Sequence, residues 1–188
     1  MQHRRSARLA RYDYTWNGAY FVTICTKNRE LLLGEIADEA VRLSDFGRIV
    51  EQRWIDIPKH FDGVTIDEYV VMSNHIHGII VIDRSVTVGA QHAAPLPTQR
   101  FGVPPGSLGA IVRSFKSAST KLINEKRHTP GEPVWQRNYY EHVIRQDIDL
   151  DRVRSYIADN PRKWAEDVEN PVSLGQWSDQ QPTAGASR

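Results

Sequence analysis

Two kinds of hydrophobic pattern alternate along the chain. Four runs are rich in β-branched and aromatic residues and are bounded by turn residues, which is typical of strands, and three other segments repeat their apolar residues at helical spacing. The predicted strands cover 19–26, 64–72, 75–82 and 135–144, and the predicted helices start after Ser44, after Ser107 and at Asp147 or Asp149. The order along the chain is therefore β, α, β, β, α, β, α.

This order predicts an α+β domain of the ferredoxin-like class. Two βαβ units place helices on one face of a central antiparallel sheet, which leaves the other face partly open for a ligand. The predicted domain spans 15–168, after a basic arm at 1–14. Residues 83–106 form a long loop rich in Pro and Gly, and residues 169–188 are expected to be a disordered tail because Ser, Gln, Gly and Pro dominate it.

Composition limits the class of protein. A chain of 188 residues with 40% hydrophobic content can bury one domain and carry a tail. Its one cysteine, Cys25, excludes a disulfide framework and fits a reducing cytoplasm. No apolar run approaches the roughly 18 residues of a membrane span, and the N-terminus lacks a signal peptide. We therefore expect a cytoplasmic protein without a membrane partner.

The net charge of +1 hides an uneven distribution. Four arginines precede the first acidic residue, Asp13, whereas the acidic residues lie further along the chain. The four are Arg4, Arg5, Arg8 and Arg11. Such segregation suggests a polyanion partner that contacts one face of the protein.

The pair His75 and His77 is the strongest chemical signal. In a strand, residues i and i+2 point to the same face, so both imidazoles can reach one metal ion or phosphate while Ile76 packs behind them. The alternative is two ordinary histidines on a half-polar strand. Since unpartnered imidazoles are costly on a strand that is otherwise almost wholly apolar, we favour a site.

Candidate partners for this pair lie on the last helix. Tyr156 and Asn160 are four residues apart and share a face. Taken alone, Tyr156 reads as a boundary aromatic and Asn160 as a common helix C-terminal residue. If the helix lies over the histidines, the phenol is a nucleophile beside a metal and the amide oxygen is a third ligand. By residue type alone, Tyr139 and Tyr140 remain rival nucleophiles.

Five blocks of this sequence resemble, in order, those of the REP-associated tyrosine transposases, which belong to the single-tyrosine HUH superfamily with an IS200-like domain. The resemblance covers roughly residues 4–165. The blocks are 4–5 with 18–23, 72–78, 114–117, 134–142 and 156–161. Each block alone is a weak signal, but five in the family order are highly specific.

The resemblance implies a set of roles and a reaction. Tyr156 would be the nucleophile, His75 and His77 would bind a divalent metal, and Asn160 would be its third ligand. The implied activity is metal-dependent cleavage and rejoining of single-stranded or hairpin DNA through a 5′-phosphotyrosine. The expected metal is Mg²⁺ or Mn²⁺, the expected partner a REP-like palindrome, and the expected state a monomer or homodimer.

The expected DNA contacts are basic and aromatic side chains, since basic groups hold phosphates and aromatic rings stack bases. The set is Arg4, Arg5, Arg8, Arg11, Arg113, Lys116, Trp135, Arg137, Tyr139 and Tyr140.

Two other functions compete with this interpretation. A hydrolase that activates water with the histidine pair is one, although the commonest His-x-His hydrolases are barrels of about 250 residues. The other is a non-catalytic module for single-stranded nucleic acid, derived from a transposase. Covalent trapping of DNA by Tyr156 separates both from a transposase.

Overall fold

The computed structural model describes residues 17–87 and 104–171. Its elements are β1 (Gly18–Cys25), β2 (Gly34–Ala37), β3 (Ala40–Leu43), α1 (Asp45–Ile55), β4 (Val64–Val71), β5 (His75–Ile82), α2 (Leu108–Arg127), β6 (Tyr140–Ile144) and α3 (Asp147–Asp159). The main sheet has the order β4-β5-β1-β6, and every neighbouring pair is antiparallel. The predicted α+β ferredoxin-like architecture is confirmed.

The strands differ from the prediction in two places. A separate hairpin of β2 and β3 lies between β1 and α1, where no strand was predicted, and it turns through Asp38 and Glu39 at positive φ. Its strands have only four residues each, too few to give a clear alternating pattern. The last strand is also shorter than predicted, since Trp135 forms only an isolated bridge with Thr26.

The helix starts follow from capping. The hydroxyl oxygens of Ser44 and Ser107 each accept a hydrogen bond from a backbone N–H three residues later, as expected of N-caps. Helix α3 starts at Asp147, the first of its two predicted starts. It ends at Asp159, although Asn160 keeps α-helical φ and ψ in front of Pro161. The helix stops there because a proline has no N–H with which to continue the hydrogen-bond ladder.

Two apolar clusters lie on opposite faces of the sheet. Helices α1 and α2 cover one face and form the large core, where the Trp54 and Phe115 rings meet edge to face at 5.3 Å. Helix α3 covers part of the other face through a small cluster. Its buried members are Phe21, Ile79, Ile144 and Ile157. The face predicted to stay partly open is therefore the face of α3.

Gly78 shows how tightly the large core meets β5. A Cβ built at Gly78 would lie 2.3 Å from Cζ2 of the Trp54 indole, whereas a Cβ at Gly18 meets nothing closer than 3.7 Å. We expect Gly78→Ala to lower the free energy of unfolding by about 1–3 kcal/mol, because the indole must shift in a packed core. Gly18→Ala should change it by less than about 0.5 kcal/mol. Urea unfolding measures both, and equal values for the two variants would contradict this packing.

The described residues extend past one predicted domain border and do not reach another. The predicted arm at 1–14 and residues 88–103 of the predicted loop lie outside the described residues. The tail was predicted to start at 169, but Glu169 and Asn170 are buried, and Arg29 Nε donates to Glu169 Oε2 at 2.7 Å. The packed domain therefore continues past the predicted border. Among the described helices, none has the length and apolar character needed to cross a membrane.

Candidate active site

The histidine pair lies at the start of β5, on the face that α3 covers. His75 and His77 are both buried, and their ring centroids are 4.3 Å apart. Ile76, between them, is buried in the large core on the other face. The alternation expected for a strand thus brings the two imidazoles together, as the sequence predicted.

A hydrogen bond orients the His75 ring. Its Nδ1 lies 2.8 Å from Oδ1 of Asn74, and the Asn74 amide donates to the backbone oxygens of Glu169 and Arg29. Because an amide oxygen only accepts, Nδ1 of His75 carries the hydrogen and Nε2 keeps a lone pair. That Nε2 is buried and has no hydrogen-bond partner among the described residues. Metal-binding histidines are commonly oriented in this way.

His77 is held similarly by its other neighbour. Its Nδ1 lies 2.8 Å from the Thr23 hydroxyl oxygen on β1, and its Nε2 lies 3.4 Å from the Tyr156 hydroxyl on α3. Both histidines therefore turn Nδ1 to a side chain that fixes the ring. Nε2 of His75 has no partner among the described residues, and Nε2 of His77 faces the Tyr156 hydroxyl.

Burial keeps both imidazoles neutral at pH 7. It lowers the pKa of His75 to about 3, with a smaller contribution from the positive charge of Arg29. Burial also lowers the pKa of His77 well below its usual value, followed by the effect of His75, while Asp167 acts in the opposite direction. Neutral imidazole is the form that binds metal ions.

An acidic residue completes the cluster. Ligand atoms of His75, His77 and Asp167 all lie within 4.8 Å of one another. Asn160 donates from Nδ2 to Asp167 Oδ2 at 3.0 Å, and the backbone N–H of Glu169 donates to Asp167 Oδ1 at 2.6 Å. The carboxylate is thus held against the histidines by the end of α3 and by the segment that follows it.

Asp167 was missing from the predicted ligands. It is one of several acidic residues after α3, and hydrophobic periodicity does not separate it from Glu166. A 3₁₀ turn at Trp164–Glu166 turns the chain back over the site, and the Trp164 ring lies 6.1 Å from the His75 ring. That turn, which the sequence analysis did not predict, brings the carboxylate to the histidines.

The donor set fits a divalent cation. It combines two imidazole nitrogens with a carboxylate. Buried polar atoms without partners are costly, and Nε2 of His75 is such an atom within the cluster. A cation bound here would give it a partner. Oδ1 of Asn160, whose Nδ2 donates to Asp167, is also buried without a hydrogen-bond partner among the described residues. Such nitrogen and oxygen donors suit Mn²⁺, Mg²⁺ or Zn²⁺.

Of the three candidate tyrosines, Tyr156 lies at the histidine pair. Its ring packs edge-on against His77 at 5.2 Å and against Phe21 at 5.9 Å, and 44% of the residue is exposed. The Tyr140 ring packs edge-on against the Phe21 ring, with centroids 6.2 Å apart. Tyr139 packs against the large core on the opposite face of the sheet. A phenol that is both accessible and next to an imidazole is therefore found at Tyr156.

The predicted DNA contacts divide into two groups. Trp135 is buried, and its indole N–H donates to the Ser119 hydroxyl at 2.9 Å, so it does not offer a free face to a base and the prediction of stacking needs correction. Lys116 donates from Nζ to the backbone oxygens of Gln136 and Asn138, which ties α2 to the segment before β6. Burial lowers the pKa of Lys116 to about 8.

The remaining basic residues mark a groove. Arg113 on α2 and Arg137 on the segment before β6 are exposed and line an open cavity of about 910 Å³. Neither forms an ion pair within the described ranges. We call this cavity, between α2 and residues 130–137, the α2 groove. The predicted contacts in the arm at 1–14 lie outside the described residues.

Comparison with known proteins finds two similar sequences. No family model matches it. It is 41% identical over 171 residues to an uncharacterized protein of Haemophilus influenzae, covering 89% of this chain and 93% of the relative. It is 24% identical over 153 residues to a second protein of that organism, the "Putative REP-associated tyrosine transposase", covering 81% of this chain and 75% of the relative.

A solved structure shares the fold. It is a REP-associated tyrosine transposase bound to a REP hairpin, with a TM-score of 0.55 and 19% sequence identity, over 95% of this chain and 90% of that chain. The resemblance seen in the sequence motifs is confirmed: this chain is similar in sequence to a protein named as a REP-associated tyrosine transposase and has the fold of a solved one.

Proposed function

We propose that the protein is a metal-dependent DNA transesterase that cleaves and rejoins single-stranded or hairpin DNA through a 5′-phosphotyrosine. One observation carries this proposal. An accessible phenol, Tyr156, lies 3.4 Å from Nε2 of His77, within a buried cluster of neutral imidazoles and a carboxylate. A nucleophile beside a candidate metal centre is the arrangement that phosphoryl transfer requires.

In the proposed reaction, Tyr156 attacks a phosphodiester of the bound strand. The phenol loses its proton, a bond forms between Oη and phosphorus, and the bond between phosphorus and the 3′ oxygen breaks. The 3′ oxygen takes up a proton and leaves as a hydroxyl. Because the phosphodiester energy is retained in the phosphotyrosine, the reverse attack by a 3′-hydroxyl joins strands without a nucleotide cofactor.

The metal would be held by His75, His77 and Asp167, with Asn160 as a further oxygen ligand. When bound, a divalent cation polarises the scissile phosphate and neutralises the charge that develops on it. The chain supplies the rest. Asn74 and Thr23 orient the two rings through their Nδ1 atoms, and the buried surroundings keep both imidazoles neutral.

The proposed substrate is hairpin DNA, because a solved relative with this fold is bound to a REP hairpin. The α2 groove supports this, since it presents two arginines without ion pairs in the described part of the chain. Phosphate contacts of this kind position DNA without reading its sequence. The covalent step is tested with hairpin DNA labelled on the 3′ side of the cut, the side that stays joined to Tyr156 through its 5′ phosphate. A labelled protein band on a denaturing gel, lost on chelation, is expected.

We expect Arg113→Ala and Arg137→Ala each to weaken hairpin binding and to flatten its salt dependence. Losing one phosphate contact should reduce the slope of log K against log salt by about 0.7–0.9. Fluorescence anisotropy across a salt series measures this slope. Arg42→Ala on β3 is the control, because Arg42 is exposed but paired with Asp38 and lies outside the groove. If the salt-dependence slopes of all three variants are equal, the α2 groove is not part of the DNA interface.

A further inference from the structure

Few apolar contacts hold α3, the helix that carries the proposed nucleophile. Ile157 is its one buried residue, and among residues 17–87 and 104–171 its cluster has four buried members against nineteen in the large core. Its N-cap residue, Gln146, makes no capping hydrogen bond within the described part of the chain. Because hydrophobic contacts are not directional, this cluster constrains the distance of α3 from the sheet more than the rotation of α3 about its own axis.

A bidentate ion pair between Arg154 and Asp67 constrains the rotation of α3. Arg154 donates from Nε to Asp67 Oδ1 at 2.9 Å and from Nη2 to Asp67 Oδ2 at 2.6 Å. The hydrogen bond from Arg154 holds the pKa of the Asp67 carboxyl below its usual value. Parallel hydrogen bonds between a guanidinium and a carboxylate fix angle as well as distance. This contact joins α3 to β4 across the sheet face that carries the histidines.

The carboxylate is itself fixed by a β-bulge. The pairing of β4 with β5 shifts register between Ile66 and Tyr69, so Asp67 and Glu68 lie outside the regular ladder. The backbone N–H of Glu68 donates to Asp67 Oδ1 at 2.6 Å. Bulges commonly redirect a side chain next to a functional site. Here the redirected side chain meets the nucleophile helix.

We propose that the Asp67–Arg154 pair positions the nucleophile by fixing the rotation of α3, so that the Tyr156 hydroxyl lies beside His77. This inference rests on the proposed role of Tyr156. Arg154 and Tyr156 are two residues apart, so they leave the helix in different directions and a constraint on one sets the direction of the other. A rotation of about 10° moves an atom about 6 Å from the helix axis by about 1 Å. Misplacement of about 1 Å can slow a reaction about 100-fold.

The first test separates the covalent step from binding. Arg154→Ala and Asp67→Ala should each slow adduct formation under single-turnover conditions about 10- to 100-fold, with hairpin affinity within about twofold. The double variant should be no slower than either single variant, because both remove one interaction. Arg152→Ala is the matched control, since Arg152 is an exposed arginine that pairs with Asp149 on the same helix. It should react at the wild-type rate.

A second readout does not depend on activity. With 3-fluorotyrosine at position 156, the ¹⁹F resonance should shift in Arg154→Ala and stay in place in Arg152→Ala. If Arg154→Ala fails to fold, Arg154→Lys takes its place. The lysine keeps the charge but loses the bidentate geometry, so the ¹⁹F resonance should shift in the same way. A wild-type adduct rate and an unmoved resonance in a folded Arg154 variant would overturn the positioning role. If the wild type forms no adduct, the proposed function fails, and the resonance still decides the positioning role.

Discussion

Tyr156→Phe should abolish the covalent adduct while leaving the fold and the hairpin affinity intact. The substitution removes only the hydroxyl, which lies 3.4 Å from Nε2 of His77, and keeps the ring that packs against Phe21. Loss of a nucleophile that acts as part of a catalytic unit lowers rates by at least about 10³-fold. Because 44% of Tyr156 is exposed, the free energy of unfolding should change by less than about 0.5 kcal/mol. A denaturing gel with labelled hairpin DNA gives the adduct, and urea unfolding gives the stability.

Tyr140→Phe and Tyr139→Phe are the matched controls. Both keep the Tyr156 hydroxyl and should retain the adduct, since Tyr139 faces the large core and Tyr140 approaches Phe21 rather than the histidines. An adduct that survives Tyr156→Phe and disappears in Tyr140→Phe would identify Tyr140, on β6, as the nucleophile. An adduct in none of the proteins, wild type included, would favour the non-catalytic binding module.

Removing one imidazole should have the largest effect on metal binding. We expect His75→Ala and His77→Ala to weaken Mn²⁺ binding more than about 100-fold and to abolish cleavage. Losing a residue that only orients a metal ligand lowers metal affinity by about 10- to 100-fold, and losing the ligand itself should lower it further. Asp167→Ala should come next, since it removes the negative charge. Asn160→Ala should have the smallest effect, because water can replace a neutral amide. Calorimetric titration with Mn²⁺ ranks the four variants.

Asp159→Ala is the control for charge alone. Asp159 is the last residue of α3 and pairs with Arg162 and Lys163 rather than with the histidines. Its removal should leave Mn²⁺ affinity within about twofold of the wild type. If Asp159→Ala weakens binding as much as Asp167→Ala, general electrostatics rather than ligation accounts for the effect. If Asn160→Ala weakens binding more than Asp167→Ala, the amide is the stronger ligand.

The fold was predictable because local rules agree along most of the chain. The β5 boundaries, the two serine caps and the stop before Pro161 each depend on residues close in sequence. The β2–β3 hairpin was missed because its strands are too short to show a period. Trp135 was misread because its segment is dense in aromatic and polar residues, and only the tertiary contact with Ser119 shows that it is buried.

The candidate site was predictable where its residues share one element. His75 and His77 lie two apart on a strand, and their convergence follows from its geometry. The position of Asp167 depends on a 3₁₀ turn and on hydrogen bonds from Asn160 and from the backbone of Glu169. No periodicity encodes such contacts. The pairing of Asp67 with Arg154 spans 87 residues and depends on a bulge, so it was equally invisible in the sequence.

The large core and the candidate site lie on opposite faces of the sheet. Among the described residues, the nineteen buried members of the large core lie on the face of α1 and α2. The two imidazoles, the Tyr156 phenol and the four-residue cluster lie on the face of α3. Substitutions at the exposed Tyr156 therefore remove little of the packing on which folding depends. Under the proposed function, a single codon change at position 156 would abolish catalysis and leave an intact scaffold that still presents the α2 groove. Among proteins of this fold, the residue at the position of Tyr156 would then indicate activity better than overall similarity does.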